Sequence, residues 1–176
     1  MVSPTHEPKG VPLNAHKDQV DAIWEALRSV MDPEIPVLSV VDLGIITGIE
    51  LSPEQLVTVR MTPTFAGCPA IRLMEKQVGE AVEQLGYEHV QVETDFSVAW
   101  NSNRISDRGR EIIKNFGLAP PPKHNGEPDL DRLQNTECPY CASANTTLKT
   151  PFGPTLCRSM HYCFDCLQAF EQFKPV

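Results

Sequence analysis

The chain has 176 residues, 41% of them hydrophobic and 22% charged, which suits one ordinary soluble domain plus a smaller one. The formal net charge is −8, and residues 137–176 carry three acidic and three basic side chains, so the acidic excess lies in residues 1–136. This balance argues against a nucleic-acid binder, which needs clustered Lys and Arg. No apolar run could span a bilayer and no signal peptide is recognisable, so we expect a cytoplasmic protein.

The first elements are predicted from proline content and hydrophobic spacing. Residues 1–15 contain three prolines and little periodicity, which predicts a flexible tail. Apolar residues from Val20 to Val30 then fall on one face of a helix, which should end before Pro33. Residues 44–62 predict a β-hairpin whose turn lies at 52–55.

The middle of the chain predicts a strand, a helix and a strand. Apolar residues from Ile71 to Leu85 recur every three or four positions, and Gly86 follows as a helix end. Residues 90–98 alternate as a strand does, so the order predicts a crossover between two parallel strands. A last helix should begin after Ser106, at about residue 107, and end near residue 116. We expect an α/β (α+β) fold in which helices pack on a small mixed sheet.

A domain boundary is predicted within residues 118–136, which are rich in proline and charge and therefore predict a linker. The predicted organisation is a tail at 1–15, a body at 16–117, this linker, and a C-terminal module at 137–176. A proline-rich linker predicts few contacts between the two modules, so we expect them to fold separately.

The C-terminal module contains two Cys-x-x-Cys pairs, formed by Cys138 with Cys141 and by Cys163 with Cys166. Two such turns supply four thiolates to one tetrahedral metal, and a hairpin turning at 152–154 would join them. A module of about 40 residues needs such a metal in order to fold. We predict a zinc-ribbon-like β module and favour zinc over a rubredoxin-like iron, because no other feature requires redox activity.

Two further residues of this module leave alternatives open. Cys157 shares strand parity with Cys163, so it is interpreted as a buried thiol packed near the metal, an alternative ligand, or a redox partner. His161 is interpreted as a packed or solvated strand residue rather than a ligand.

The remaining cysteine, Cys68, directly precedes Pro69 at the expected start of a helix. Proline suits the first helical position, which would make Cys68 the N-cap and lower the pKa of its thiol. Thr62 and Thr64 would place hydroxyl groups on the approaching loop. The alternative is a buried cysteine that fills the corner between strand and helix.

Three carboxylates, Asp32, Glu34 and Asp42, lie in an otherwise apolar segment. They would tune an activated thiol or bind iron, or they would only cap turns. No phosphate-binding loop, dinucleotide fingerprint or complete catalytic set is present, so we do not expect an enzyme that acts alone.

Two stretches, "MDPEIPVLSVVDLGIITGI" and "MTPTFAGCPA", resemble the iron–sulfur cluster assembly domain family over residues 16–117. Together with "WNSNRISDRGREIIKNFGLAPP" and the cysteine-rich tail, the chain resembles the D-subunit family of phenylacetyl-CoA epoxidase, the phenylacetate oxygenase. The resemblance implies that Asp32, Glu34 and Cys68 mark the functional face, with Thr62 and Gly67 in the matching loop.

The resemblance implies an accessory maturation subunit of the multicomponent epoxidase of phenylacetate catabolism. It would assist assembly or repair of an iron–sulfur or diiron centre, with iron or a cluster held transiently at Cys68. Its partners would be the other oxygenase subunits or the reductase, with no nucleic acid or membrane; a homo-oligomer stays open. The alternatives are a stoichiometric structural subunit without a maturation role and, less favoured, a zinc-ribbon regulator that binds nucleic acid.

Overall fold

The computed structural model describes residues 13–65, 67–125, 133–134 and 136–176. Most of the predicted flexible tail, residues 1–12, lies outside the described residues, and so do positions 126–132 and 135 of the predicted linker. Helix α1 spans Leu13–Leu27, so it begins three residues inside the predicted tail. No helix in the described ranges is both long and apolar enough to span a membrane.

The body contains a three-stranded mixed sheet in the order β1-β2-β3. Strands β1 (Ile46–Leu51) and β2 (Leu56–Met61) form the predicted antiparallel hairpin. Helix α2 (Ile71–Glu83) connects β2 to β3 (His89–Thr94), which pairs with β2 in parallel, as predicted. The α/β architecture with a hairpin and a β-α-β unit is therefore confirmed.

Strand β3 ends earlier than its alternating sequence predicts. The side chain of Phe96, predicted to alternate into the sheet, is 67% exposed. The cause is a turn at Asp95, whose Oδ1 accepts hydrogen bonds from the backbone N–H and the hydroxyl of Ser97, at 2.8 and 2.5 Å. An aspartate that bonds its own backbone two residues ahead forms such a turn and stops the ladder.

The body core fills the space between this sheet and the helices. Eight of its residues, from α1, α2 and β2, are less than 3% exposed: Ile23, Leu27, Val57, Val59, Met61, Met74, Val78 and Val82. Helix α3 (Asp107–Asn115) follows a short 3-10 helix (Ser102–Arg104) and begins as predicted, because Ser106 Oγ accepts a hydrogen bond from the N–H of Gly109 at 2.8 Å.

The C-terminal module is a four-stranded sheet in the order β4-β7-β6-β5. Its strands are β4 (Leu118–Ala119), β5 (Thr146–Thr150), β6 (Arg158–Cys163) and β7 (Ala169–Phe173). Strand β4 pairs with β7 in parallel, and the other pairs are antiparallel. The first two residues of the predicted linker thus belong to this sheet.

The two modules pack against each other. Phe173 of β7 is 2% exposed within the body core, and its ring centroid lies 5.7 Å from that of Trp100. The backbone N–H of Ser102 donates a hydrogen bond to the carbonyl of Val176 at 2.7 Å. The expectation that few contacts join the modules is therefore wrong, because the last strand carries apolar side chains that the body buries.

Candidate functional site

The four cysteines of the two Cys-x-x-Cys pairs lie at one end of the ribbon sheet. Their sulfur atoms are all within 4.8 Å of one another, including Cys138 to Cys166 at 3.7 Å and Cys141 to Cys163 at 3.6 Å. A tetrahedral zinc ion with sulfur bonds of ~2.3 Å would separate its ligands by roughly 3.8 Å. The group is a metal-binding group, and its spacing fits a closed four-thiolate site.

Both cysteine turns have the same backbone shape. The residue after each pair, Ala142 or Leu167, has a positive φ of 58° or 60°. After this bend the N–H of the next residue, Ser143 or Gln168, favours the thiolate of Cys141 or Cys166. At Cys163 the N–H of Cys166 is the main influence and lowers the thiol pKa to about 7, although burial opposes it. Such N–H groups favour the thiolate that a metal needs, whereas burial and the neighbouring thiols raise the pKa of Cys141 and of Cys166.

The carboxylate of Asp165 holds the two turns together. It accepts hydrogen bonds from Ser143 Oγ and Asn145 Nδ2, both at 2.6 Å, which lower the pKa of Asp165. Because Asp165 lies between Cys163 and Cys166 and its partners follow Cys141, this contact fixes one cysteine pair relative to the other.

His161 is a packed strand residue, as predicted. Its side chain is fully buried, its ring stacks on Phe170 with centroids 5.3 Å apart, and Nε2 lies 3.0 Å from Ser159 Oγ. Burial lowers its pKa to about 4, so the ring is neutral near pH 7. It is not part of the four-cysteine group.

A second cluster of functional groups surrounds a cavity of about 280 Å³ where the body meets the ribbon. One wall comes from the body and the other from the loop between β5 and β6. The lining includes Glu34, Thr64 and Cys68 from the body and Gly153, Thr155 and Cys157 from the loop. Hereafter we call it the junction cavity.

The Asp-Pro-Glu turn supplies a carboxylate to this cavity. Asp32 is 8% exposed, and its Oδ1 accepts hydrogen bonds from the N–H groups of Glu34 and Ile35, both at 2.8 Å. Asp32 therefore shapes the turn, as the capping alternative predicts. Glu34 is half-buried and its side chain lines the cavity.

The helix after Cys68 begins later than predicted. Helix α2 starts at Ile71 and its N-cap is Ala70, which has helical φ and ψ angles and no capping side chain. Cys68 and Pro69 belong to the preceding turn, in which the Cys68 N–H donates to the carbonyl of Phe65 at 3.0 Å. The prediction that Cys68 is the N-cap is wrong, because the turn inserts two residues before the helix.

The predicted lowering of the Cys68 pKa is also wrong. The nearby backbone N–H groups of Ala70 and Ile71 favour the thiolate form of Cys68. Burial outweighs them, and the negative charges of Glu34 and Asp32 add to it, so the pKa of the Cys68 thiol is raised. Cys68 is therefore a half-buried neutral thiol beside two carboxylates, not an activated nucleophile.

Cys157 also lies in the junction cavity. Its sulfur is 3.9 Å from Glu34 Oε2 and 3.1 Å from Thr155 Oγ1. Burial, followed by the charge of Glu34, raises its pKa despite the opposing contact with Thr155. The interpretation of Cys157 as a thiol near the four-cysteine group is wrong, because Cys157 precedes β6 whereas Cys163 ends it.

Two other predicted site residues are buried and make hydrogen bonds within the body. Thr62 is 2% exposed, and its hydroxyl donates to the carbonyl of Val98 at 2.6 Å, away from the residues that line the cavity. Asp42 is 3% exposed and accepts hydrogen bonds from the hydroxyl groups of Ser39 and Ser106, at 2.8 and 2.7 Å. Both residues hold loops of the body together.

Arg158 is a residue that the sequence did not single out. Its guanidinium donates to the backbone carbonyl of Glu34 at 2.8 Å and to the Glu171 carboxylate at 3.0 Å. Gly153 accommodates it, since a Cβ at that position would lie 3.0 Å from Arg158 atoms. No local pattern could have shown the contact with Glu34, because Arg158 and Glu34 are separated by 124 residues in the sequence.

Comparison with known proteins identifies the family of the chain. Over 158 residues it is 36% identical to an Escherichia coli (strain K12) protein provisionally named as the D component of 1,2-phenylacetyl-CoA epoxidase, covering 90% of this chain and 94% of that protein. The chain belongs to this epoxidase D-component family. Two family profiles match separate parts of this D-component chain: "Iron-sulfur cluster assembly protein" at residues 20–94 and "PaaD zinc beta ribbon domain" at residues 122–174.

A shorter relative and a solved structure each match about half of the chain. An Fe–S protein maturation auxiliary factor of Porphyromonas gingivalis is 39% identical over 86 residues, which is 48% of this chain and 81% of that protein. A domain of unknown function from Bacillus anthracis has a TM-score of 0.54 at 19% identity and covers 57% of this chain and 95% of its own. The latter likeness supports the fold alone.

Proposed function

We propose that this member of the D-component family is an accessory maturation protein that helps assemble or repair an iron–sulfur or diiron centre of phenylacetyl-CoA epoxidase or its reductase. The observation that carries the proposal is the junction cavity, where Cys68 and Glu34 face an accessible space. The match of residues 20–94 to iron–sulfur cluster assembly proteins and the name of the Porphyromonas gingivalis relative support it.

In this proposal Cys68 is a transient thiolate ligand for iron, which is the cargo rather than a resident cofactor. Glu34 offers a carboxylate oxygen, and Asp32 holds the turn that presents it. The raised pKa of Cys68 keeps the thiol protonated until a cation arrives, and binding then releases the proton to water. A site that must first lose a proton releases its metal more readily than a preformed thiolate site.

The four-cysteine group has a different role in this proposal. It holds one resident metal ion, for which zinc fits because the group is closed and all four ligands are thiolates. That metal stabilises the ribbon, which in turn serves as the docking module for an oxygenase partner. The acidic body and the neutral charge of residues 137–176 disfavour a nucleic-acid regulator.

An independent enzymatic activity is disfavoured by the lining of the junction cavity. Among the described residues that line it there is no histidine to act as a general base for Cys68. A cysteine nucleophile needs a lowered pKa or an adjacent base, and Cys68 has a raised pKa. Metal transfer needs neither.

Deletion of the gene in its host tests the proposal. Iron content and activity should fall in the purified oxygenase or its reductase, and expression of the wild-type chain should restore both. A Cys68→Ala chain should fold and keep its ribbon metal without restoring activity, whereas the control Ser29→Ala, at an exposed helix end, should restore it fully.

Two results would contradict the maturation role. One is full restoration by Cys68→Ala. The other is an oxygenase and reductase with normal iron content in the deletion strain, combined with co-purification of the chain in a fixed ratio in the wild type. The second result would favour the stoichiometric structural subunit.

A further inference from the structure

The junction cavity brings together two cysteines that are far apart in the chain and belong to different modules. Cys68 comes from the turn before α2, and Cys157 from the loop before β6. The carboxylate of Glu34 lies between the two modules, with Oε2 at 3.9 Å from the Cys157 sulfur. Two thiols and a carboxylate therefore face one space of about 280 Å³.

The position of Cys157 is fixed by the contacts of its neighbours. Arg158 bonds the backbone carbonyl of Glu34 at 2.8 Å, which ties the start of β6 to the Asp-Pro-Glu turn. The backbone N–H of Lys174 donates to the carbonyl of Cys157 at 2.8 Å, which ties the same residue to the end of β7. Cys157 is thus held between β7 and the turn that presents Glu34.

The cationic groups near the cavity form their hydrogen bonds with atoms other than the Glu34 carboxylate. The Arg158 guanidinium bonds a backbone carbonyl and the Glu171 carboxylate, and the Lys174 ammonium bonds the carbonyl of Leu156 at 2.8 Å. The Glu34 carboxylate has no ion pair with either of them among the contacts of the described residues. Sulfur and carboxylate donors together suit a borderline divalent cation such as Fe²⁺, Co²⁺ or Zn²⁺.

We propose that Cys157 is the second thiolate of the cargo site, so that Cys68, Cys157 and Glu34 together bind one divalent thiophilic metal ion across the module boundary. This inference deepens the proposed function and rests on it. As the ion binds, each thiol loses one proton to water and each sulfur forms one bond to the metal, without change of oxidation state. The ribbon then completes the cargo site in addition to docking.

The cavity donors form a looser set than the four ribbon cysteines. Within the described residues, only the four-cysteine group gathers its donor atoms within 4.8 Å of one another. A site whose donors must move together to bind an ion holds it less tightly than a preformed one. This looseness suits an ion that must be passed on.

Anaerobic titration of the full-length, zinc-loaded protein with Co²⁺ tests this inference, since cobalt bound by thiolate shows a charge-transfer absorption. Wild-type protein should bind one Co²⁺ with this absorption while its zinc content, measured in the same sample, stays constant. Cys68→Ser and Cys157→Ser should each weaken Co²⁺ binding by ~10-fold or more, since even losses of outer-shell partners cost ~10- to 100-fold.

Two glutamate variants, one inside the cavity and one outside it, provide a test and its matched control. Glu34→Gln should also weaken Co²⁺ binding, whereas Glu54→Gln, on the exposed hairpin turn, should bind as wild type. Retained zinc in each variant shows that the ribbon is folded.

Each remaining outcome overturns the inference. Wild-type affinity in Cys157→Ser, with loss only in Cys68→Ser, would remove Cys157 from the site and leave the proposed function intact. No thiolate absorption in the wild type would remove the composite metal site, while the iron content of the oxygenase would still test the maturation role separately. Formation of a Cys68–Cys157 disulfide under mild oxidation, with no Co²⁺ binding, would assign the two thiols to redox chemistry.

Discussion

The two cysteine sites of this chain lie at opposite ends of strand β6 and differ in how their donors are held. Cys163 is the last residue of the strand and belongs to the group of four cysteines whose sulfur atoms lie within 4.8 Å of one another. Cys157 precedes the strand and lines the junction cavity together with Cys68. Six residues of extended chain separate them by roughly 20 Å. One strand therefore serves both a closed metal group and an open cavity.

The difference between the sites follows from what builds each of them. The four-cysteine group is made by two local turns of one small module, and modules of this size commonly need a bound metal in order to fold. The junction cavity exists only where the ribbon packs on the body, through Arg158 and Phe173. We interpret the first as a permanent structural site and the second as a site for cargo.

The largest effect is expected when the closed group is broken. Cys138→Ser should remove the ribbon metal, and a structural zinc contributes about 10 kcal/mol or more to folding. Because Phe173 lies in the body core, the thermal stability of the body should fall as well. Metal analysis and calorimetry measure both effects. Cys68→Ser is the matched control and should keep its metal; if it loses the metal instead, the division between the two sites is wrong.

The next effect concerns the packing of the modules. Phe173→Ala should destabilise the whole chain by about 3–5 kcal/mol, because it empties a buried aromatic position beside Trp100. Urea unfolding followed by tryptophan fluorescence and by metal release should show one coincident transition. Phe96→Ala, at a site 67% exposed, should change little. Two separate transitions in the wild type would instead support independent modules.

A smaller effect is expected at the contact between Arg158 and Glu34. Arg158→Met keeps much of the side-chain volume but loses hydrogen bonds from a charged group, which should cost roughly 1.5–3 kcal/mol. Alkylation of Cys157 should become faster as the cavity loosens. The control Arg72→Met alters an exposed helical arginine and should leave that rate unchanged. An unchanged Cys157 rate in Arg158→Met would show that Arg158 does not hold the loop.

The smallest effect concerns thiol ionisation. Burial and the nearby carboxylates raise the pKa of Cys68 and of Cys157, so less thiolate is present at pH 7 than for a free thiol. The alkylation rate of each should continue to rise above the ordinary thiol pKa of 9.0. Glu34→Gln removes one negative charge and should raise both rates at pH 7 by a few-fold, whereas Glu54→Gln should not. Rates that level off below pH 9 would contradict the raised pKa values.

Several features that local sequence determines were predicted correctly, although the start of α2 and the end of β3 were not. The hairpin turn, the spacing of α2 and the Ser106 cap depend on neighbouring residues, and so do the cysteine turns. The end of β3 was missed because the Asp95 side chain competes with the strand ladder.

The junction cavity could be predicted only in part. The resemblance identified Cys68 and Glu34, but nothing local indicated that Cys157 would join them, since its strand parity with Cys163 pointed to the other end of β6. Its position depends on contacts across more than 120 residues, through Glu34 and Arg158. The ionisation of Cys68 was predicted with the wrong sign because burial and neighbouring charge are tertiary properties.

The most direct measurement of the central claim, that the junction cavity passes iron to a partner, is transfer between purified components. The zinc-loaded chain would be charged anaerobically with isotopically labelled ferrous iron and mixed with iron-free oxygenase or reductase. We expect the wild-type chain to deliver more label than free ferrous iron at the same concentration, and Cys68→Ala to deliver no more than free iron. Equal delivery by the wild-type and Cys68→Ala chains would contradict the account.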